Sequence, residues 1–280
     1  MSARFLAVVL CAIALSGCTV FSRKPPLPRH AAIEHSDAPS ARTDYAALVA
    51  EVEVAYFPAE RAASGARSEP SALLLEALRQ NGTPFAIAWD ILDASQQTVL
   101  DELPGKSGAA REEVIAQLEF SGTGRAREHL RAVLRDENLA GLQHVGLRCP
   151  PALMAKLETR ERLNAEDENL LPRGFTLPSA GFEGYAERVA AGRGEPARSY
   201  RAQVASQQYA AERIIEYFRA AGMQNKLLVF LRADDMEAGQ GVPRYVAQKI
   251  KVRQLVLDSS GGGPIPAKLL TQAESGVPAR

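Results

Sequence analysis

Hydrophobic and polar positions divide the chain into short apolar runs separated by stretches with helical spacing. Runs of this kind indicate strands buried on both faces, whereas apolar residues three or four apart indicate helices. The predicted strands are 47–57, 85–91, 142–147, 227–231 and 251–257. The predicted helices are 69–80, 93–103, 109–120, 124–136, one that starts at Pro150 and a long one over 202–221. Strands that alternate with helices form α/β folds. We therefore predict a mostly parallel β-sheet flanked by helices, with a smaller helical insertion at about 104–141 and 164–200.

One predicted strand ends in an unusual way. The apolar run Leu227–Leu231 changes abruptly to a polar stretch that contains Asp234 and Asp235 and continues into Gly241-Val242-Pro243. Ligands in open α/β sheets bind just beyond the carboxyl ends of the strands. This stretch is therefore predicted to form one wall of a site.

The two ends of the chain have different compositions from its centre. Residues 1–17 start with a short basic segment followed by an apolar stretch well below the ~20 residues that span a bilayer, which predicts a signal peptide. Leu15-Ser16-Gly17-Cys18 resembles the bacterial lipobox, whose cysteine is lipidated; an ordinary secretion signal with a chance cysteine is the alternative. Residues 18–42 are predicted to be a flexible tether, 43–257 the folded domain and 258–280 a flexible tail. Thr19, rather than an aspartate, after the cysteine favours the outer membrane of a bacterial envelope.

Composition excludes several classes of function. Lys plus Arg and Asp plus Glu both number 33, so no basic surface for nucleic acid is expected. With Cys11 in the signal and Cys18 lipidated, Cys149 is left as a lone thiol, which excludes an internal disulfide and a cysteine metal cluster. Neither a nucleophile paired with histidine nor a phosphate-binding loop is visible.

Several blocks along the domain resemble, in order, the ChaN-like haem-binding lipoproteins of the Tiki/TraB-type superfamily. The matching residues are Glu60 after the first strand; Ala88-Trp89-Asp90-Ile91, Asp93, Gln96, Gln97, Leu100 and Asp101; Arg148-Cys149-Pro150; Ala202-Gln203 and Ala211–Ile214; and Gly241-Val242-Pro243. The family's three site histidines are absent, with Ala62, Arg67 and Asp235 at their positions, and Asp90 replaces a family glutamate. The resemblance implies an α/β fold and haem binding.

The loss of the histidines changes the chemistry expected at the site. Glu60, Asp90, Asp234 and Asp235 would leave a set of oxygen ligands, which suits calcium, magnesium or manganese rather than haem iron. In the alternative, Glu60 and Asp90 pair with Arg61, Arg148 or Arg232, and Asp234 and Asp235 cap the next turn.

Tyrosines are better candidates for the haem ligand than the remaining histidines, because phenolate oxygen binds ferric haem; a partner subunit that supplies the ligand is the alternative. The candidates for contact with the ligand are Tyr56, Tyr185 and Tyr200, with Tyr209 and Tyr217 on the long helix. Trp89 is interpreted as a core residue that could also stack on a porphyrin, and His129 and His144 as structural residues.

Three functional hypotheses follow. The first is an anchored lipoprotein that binds haem or a related porphyrin or iron ligand during uptake or handling. The second is a non-catalytic scaffold of the same fold that binds another ligand or a protein in the periplasm. The third, a metal-dependent hydrolase, is disfavoured by the absent histidines, so no enzymatic activity is expected. The partners expected are the membrane, haem, an outer-membrane receptor and a second copy of the chain.

Overall fold

The two central strands are buried along their whole length because helices cover both faces of the sheet. The computed structural model describes residues 45–59, 70–121, 124–159, 163–178, 196–236, 241–257 and 267–270, all of which belong to one compact unit, Thr43–Arg280. Every residue of β1 (Val54–Pro58) and of β4 (Lys226–Leu231) is buried. The two strands pair in parallel, from Val54 opposite Leu227 to Pro58 opposite Leu231. Continuous apolar sequence is what a strand covered on both faces requires.

The described strands form a six-stranded sheet in the order β3-β2-β4-β1-β5-β6. Besides β1 and β4, they are β2 (Phe85–Asp93), β3 (Gln143–Arg148), β5 (Gln254–Leu257) and β6 (Ala267–Leu270). The first five run parallel and β6 pairs antiparallel with β5. The prediction of a mostly parallel α/β sheet is confirmed.

Nine helices are described, and they lie on both faces of the sheet. They are α1 (Tyr45–Glu51), α2 (Pro70–Asn81), α3 (Gln97–Leu100), α4 (Gly108–Gln117), α5 (Gly124–Arg135), α6 (Pro151–Thr159), α7 (Ala165–Leu170), α8 (Pro196–Ala221) and α9 (Val242–Lys249). Apolar residues of α1, α2, α4 and α5 pack on one face of the sheet, and those of α8 and α9 on the other. In the described part of the chain, no helix combines the length and apolar character needed to cross a membrane.

Two parts of the predicted secondary structure are wrong. The predicted strand 47–57 begins as helix α1, and only Val54–Pro58 is a strand. A short apolar run cannot by itself distinguish a helix from a buried strand. Here buried Lys226 favours the helix, because its Nζ donates to the carbonyls of Val49, Ala50 and Val52 at the end of α1.

The second correction concerns the predicted flexible tail, 258–280. Within it, Ala267–Leu270 forms β6, with Leu269 opposite Leu255 and Leu270 opposite Gln254. Backbone hydrogen bonds to an exposed sheet edge stabilise such a strand with little help from an apolar pattern. The rest of the tail lies outside the described residues.

A smaller apolar cluster joins α6 to α8. It contains Cys149, Leu153, Leu157, Ala202 and Ala205. Cys149 is fully buried, and burial is the main cause that raises the pKa of its thiol to about 12. A thiol in this state is a poor nucleophile, which agrees with a structural role.

Candidate functional site

Neighbouring strands β2 and β4 bring charged side chains together at the carboxyl edge of the sheet. The two strands pair in register up to Trp89 opposite Phe230. Asp90 is the next residue of β2, and Arg232 is the first residue after β4. Asp235 follows in a short 3₁₀ helix, Ala233–Met236. The strand end predicted from the sequence therefore does lead into a polar edge.

An irregularity in β2 accompanies the change of environment at Asp90. On the β3 side, Trp89 pairs with Gly146 and Asp93 pairs with Arg148, so β2 has two more residues than β3 over this interval. Bulges of this kind redirect side chains and are frequent beside functional sites. The Asp90 side chain remains only 11% exposed.

Arg232 is the cation that holds this edge together. Its backbone N–H donates to Asp90 Oδ2 at 2.9 Å, and its Nε lies 3.7 Å from the same oxygen. Its Nε and Nη2 both donate to Asp235 Oδ2, at 2.9 and 2.7 Å. The guanidinium therefore neutralises two carboxylates that come from different segments. Asp235, with Asp90 and Asp234 contributing less, raises the pKa of Arg232, while its burial opposes them.

The long helix α8 supplies one more hydrogen-bond donor to the network. Gln207 of α8 is buried, and its Nε2 donates to Asp235 Oδ1 at 3.0 Å. Both oxygens of Asp235 therefore accept hydrogen bonds, and the residue is only 4% exposed. Sequence reasoning did not select Gln207, although it lies in the same long helix as the matched Ala202-Gln203 and Ala211–Ile214.

The described carboxylates do not fit a site for iron or another metal ion. Within the described ranges, no three histidine, cysteine, aspartate or glutamate residues are grouped so that they could hold a metal. Asp90 and Asp235 already share the Arg232 guanidinium, which occupies the position of a cation between them. The predicted alternative, in which Asp90 pairs with an arginine, matches this geometry.

Tyr56 is placed where a ligand on the surface cannot touch it. The side chain is completely buried in the core, and its hydroxyl donates to Gln254 Oε1 at 2.6 Å. Burial raises its pKa well above the ordinary value, which disfavours the phenolate that iron would need. The interpretation of Tyr56 as a ligand-contacting residue is therefore replaced by a core role.

The Tyr200 side chain is also largely buried, and its hydroxyl is bonded within the protein. It is 8% exposed, and its hydroxyl donates to the Pro178 carbonyl at 2.8 Å. Burial raises its pKa, so its phenolate is also disfavoured. The remaining predicted site residues, Glu60 and Tyr185, lie outside the described residues, as do the lipidation candidate Cys18 and the substituted positions Ala62 and Arg67.

The residues of the second matching block have structural roles around β3. Asp93 caps the turn that follows β2 by accepting from the N–H of Ser95 at 2.8 Å. The Gln97 side chain lies against β3, where Nε2 donates to the His144 carbonyl at 2.8 Å and Oε1 accepts from the Gly146 N–H at 3.1 Å. This side-chain amide satisfies backbone hydrogen-bonding groups of the edge strand β3, as a neighbouring strand would. Asp101 accepts from the same Gln97 Nε2.

A buried aromatic cluster lies on the opposite face of the sheet. Trp89 stacks on Phe230 with ring centroids 4.4 Å apart, and its Nε1 donates to His144 Nδ1 at 3.2 Å. The His129 ring lies 5.9 Å from Trp89 and 5.5 Å from Phe230. The core interpretation of Trp89 agrees with its exposure of 1%. The sequence contained no signal that would have brought His129 and His144 to the same tryptophan.

Comparison with known proteins identifies the fold. No protein-family model matches the sequence, and no curated protein does. Among solved structures, the chain is similar to one described as "Cofacial heme binding to ChaN of Campylobacter jejuni", with a TM-score of 0.52. The chain has a ChaN-like fold. The match covers 79% of this chain and 86% of the ChaN chain, at 13% sequence identity.

Proposed function

We propose that this protein is a ChaN-like binding lipoprotein that takes up or handles haem, a related porphyrin or an iron ligand. The observation that carries the proposal is the fold, which matches a haem-binding ChaN over most of both chains. The polar carboxyl edge of the sheet supports it as well, because ligands of α/β sheets bind at such edges.

The iron ligand in this proposal is Tyr185. Arg232 pairs with both Asp90 and Asp235. The Tyr56 hydroxyl donates a hydrogen bond to Gln254, and the Tyr200 hydroxyl donates one to the Pro178 carbonyl. The Tyr217 hydroxyl donates to the Lys226 carbonyl, and burial raises the pKa values of Tyr209 and Tyr217 to about 12, so Tyr185 is preferred among the predicted tyrosines. A phenolate oxygen is a suitable donor for ferric haem.

A haemin titration tests the proposal. Protein that lacks residues 1–18 is titrated while the Soret absorbance is followed, with Tyr185→Phe and Tyr200→Phe compared in parallel. A saturable shift that Tyr185→Phe weakens by about tenfold or more, roughly 1.4 kcal/mol, supports both the ligand and the donor. Tyr200→Phe is the matched control, which removes one hydroxyl and keeps the ring.

The possible results separate the claims. A saturable shift that Tyr185→Phe leaves intact would remove Tyr185 as the donor and retain haem as the ligand. The absence of any saturable shift would overturn haem binding.

A second candidate function is favoured by the Arg232 network. Asp235 stands at the position of a histidine in the resembling family, and its carboxylate accepts hydrogen bonds from the Arg232 guanidinium, so the fold could serve as a scaffold for another ligand or a protein partner. In that case haemin does not saturate, and Glu60→Ala leaves the stability of the protein nearly unchanged. A loss of haemin affinity in Glu60→Ala would contradict it.

The proposed location is the bacterial outer membrane, through a lipid on Cys18. Each methylene of an acyl chain buried in the bilayer contributes about 0.8 kcal/mol, so several chains on one cysteine hold a protein firmly. Cys18→Ala is expected to shift the expressed protein from the membrane pellet to the soluble fraction. A variant that stays in the pellet would contradict lipidation at this residue.

A further inference from the structure

Two histidines pack against the same tryptophan on one face of the sheet, His144 fully buried and His129 partly buried. His144 of β3 is fully buried, and its Nδ1 accepts from Trp89, which assigns the imidazole proton to Nε2. His129 comes from α5 and covers both Trp89 and Phe230. One imidazole therefore belongs to the sheet and the other to the helix packed on it.

The surroundings of both imidazoles oppose a positive charge. Among the described residues, neither Nε2 atom has a hydrogen-bond partner, and both atoms are buried. β2 and β4 contribute Trp89 and Phe230 to the cluster, and neither of these titrates. Burial lowers the pKa of His129 to about 4 and that of His144 to about 3.

The charged group that acts on His144 is positive and therefore opposes protonation of the imidazole. It is Arg111 of α4, whose guanidinium lowers the pKa of His144 further. On α5, the charged residues within two positions of His129 are Arg127, Glu128 and Arg131, and all three are exposed. In the described part of the chain, no carboxylate offsets the cost of protonating either ring.

The helices above the histidines are tied mainly to one another. Arg111 donates to the carbonyls of Leu103, Lys106, Leu134 and Ala140, and so links α4 to the end of α5 and to the adjoining turns. The side chains that reach the sheet are mostly apolar, from α4 (Val114 and Ile115) and from α5 (Leu130 and Leu134). We call α4 and α5, residues 108–117 and 124–135, the α4–α5 layer. The segment between them is bonded to β2, because Phe120 forms a bridge with Leu92 and the Ser121 N–H donates to the Ile91 carbonyl.

The opposite face of the sheet has a different composition. Of the four histidines in the chain, His30 and His35 precede the described residues, His129 belongs to the α4–α5 layer, and His144 lies in β3. The described parts of α8 and α9 therefore bring no imidazole to their face of the sheet. Acid in the range where histidine titrates should act on one face first.

We propose that His129 and His144 form an acid-sensitive latch that holds the α4–α5 layer on the sheet at neutral pH and releases it when the imidazoles bind protons. The α8 face remains packed in the released state. Release exposes the aromatic surface of Phe57, Trp89 and Phe230 to solvent.

Amide hydrogen exchange read by mass spectrometry tests the latch. Exchange is measured at about pH 4.5 and about pH 7, and corrected for the intrinsic effect of pH. The expected result is that amides of α4 and α5 lose protection by about tenfold or more at the lower pH, while those of α8 and β4 keep theirs. Simultaneous loss in all four elements would indicate ordinary acid unfolding and overturn the proposal.

Variants connect the effect to the histidines. His144→Gln keeps an acceptor for Trp89 and cannot titrate, and it is combined with His129→Gln. The double variant should show no selective loss of protection in α4 and α5 at acidic pH, whereas the control Glu128→Gln, which removes an exposed titrating group next to His129, should behave like the unmodified protein. An unchanged selective loss in the double variant would also overturn the latch.

Trp89 provides a second measurement, because it is the only tryptophan in the chain. Its emission maximum should move to longer wavelength as the layer is released, over the same pH range as the exchange of α5. If the double variant does not fold, the unmodified protein still decides the matter. An emission shift without loss of protection in α5, or with equal loss in α8, would contradict release of the layer.

Discussion

At the scale of single residues, Arg232 determines how the carboxyl edge of the sheet is charged. Its guanidinium contacts Asp235 with two nitrogens and lies near Asp90, while its backbone N–H also binds Asp90. Arginine stays protonated over the whole physiological range of pH. The carboxylates of this edge therefore have a permanent counter-charge.

Removing that counter-charge should destabilise the protein. In Arg232→Ala, Asp235 would keep its hydrogen bond from Gln207 but would remain almost buried without a cation. We expect the free energy of unfolding to fall by about 1–2 kcal/mol at neutral pH, less than the ~3–5 kcal/mol of a fully buried pair, because the arginine side chain is half exposed.

Urea unfolding of the two proteins measures this loss. Arg232→Lys, which keeps the charge but not the planar fork, is the control and should lose less. Equal stability at neutral pH would show that the network contributes nothing.

Some of this edge could be predicted from sequence, and some could not. The change from the apolar run Leu227–Leu231 to a polar stretch predicts the strand end. Pairing of Asp90 with an arginine is one of the two arrangements that the sequence allows. The part played by Gln207 depends on which turn of a long helix faces Asp235. That is fixed by tertiary packing, not by local pattern.

At the scale of elements, β2 and β3 approach each other unusually closely beyond Trp89. A Cβ atom added to Gly146 would lie 2.7 Å from the backbone oxygen of Asp93 and 3.3 Å from Ala94 Cα. Both neighbours belong to the main chain and cannot rotate away. The closeness also places Gln97 where its amide can bind β3.

Gly146→Ala should therefore lower the free energy of unfolding by about 1–3 kcal/mol, the usual cost of forcing extra volume into a packed site. Gly141→Ala is the matched control, since no atom lies within 4 Å of a Cβ added there. The control should stay within about 0.5 kcal/mol of the unmodified protein. Chemical denaturation of both variants checks the expectation, and a Gly146→Ala protein as stable as the control would refute the close approach.

The elements also show why a sequence pattern can mislead. Val49 and Val52 read as part of a strand, yet the chain forms α1 because buried Lys226 binds the carbonyls at the end of that helix. Lys226 is distant in sequence, so no local window contains this information. For the same reason, β6 depends on the exposed edge of β5 more than on its own four residues.

At the scale of the whole molecule, the two faces of the sheet have different ionisable groups. The α8 face carries the edge with Arg232 and Asp235, whereas the α4–α5 face carries His129, which is partly buried, and His144, which is fully buried. The pKa values of both imidazoles are lowered, to about 4 and about 3, so the folded protein keeps them neutral. The unfolded chain, in contrast, protonates them below about pH 6.5.

Stability should therefore fall on acidification, because the unfolded state binds more protons than the folded state. As pH decreases from about 6.5 toward 5, the two histidines should add a slope that approaches about 2.7 kcal/mol per pH unit to the free energy of unfolding. Urea unfolding across this range measures the slope. The double variant His129→Gln, His144→Gln should be distinctly flatter, and an equal slope would mean that the histidines are not the cause.

The architecture was the most predictable property of the molecule. Alternating strand and helix patterns give a parallel sheet by general rules, and the ordered matching blocks pointed to the ChaN-like fold that the structural comparison found. The ion network and the histidine pair were not predictable, because each joins residues far apart in sequence. His129 and His144 meet at Trp89 only after α5 has packed against Trp89 of β2 and Phe230 of β4.

The neighbouring positions Trp89 and Asp90 have a consequence for how this protein can vary in length. A single peptide bond separates an indole stacked in the aromatic cluster from a carboxylate beside Arg232 on the other face. Because side chains alternate along a strand, deleting one residue between Phe85 and Trp89 would move both residues to the opposite face. The tryptophan would take the place of Ala88 in the cluster on the α8 face, and the aspartate would be buried opposite Phe230. A single substitution in this strand changes the packing on one face of the sheet, whereas a change of length by one residue would disrupt the packing on both faces at once.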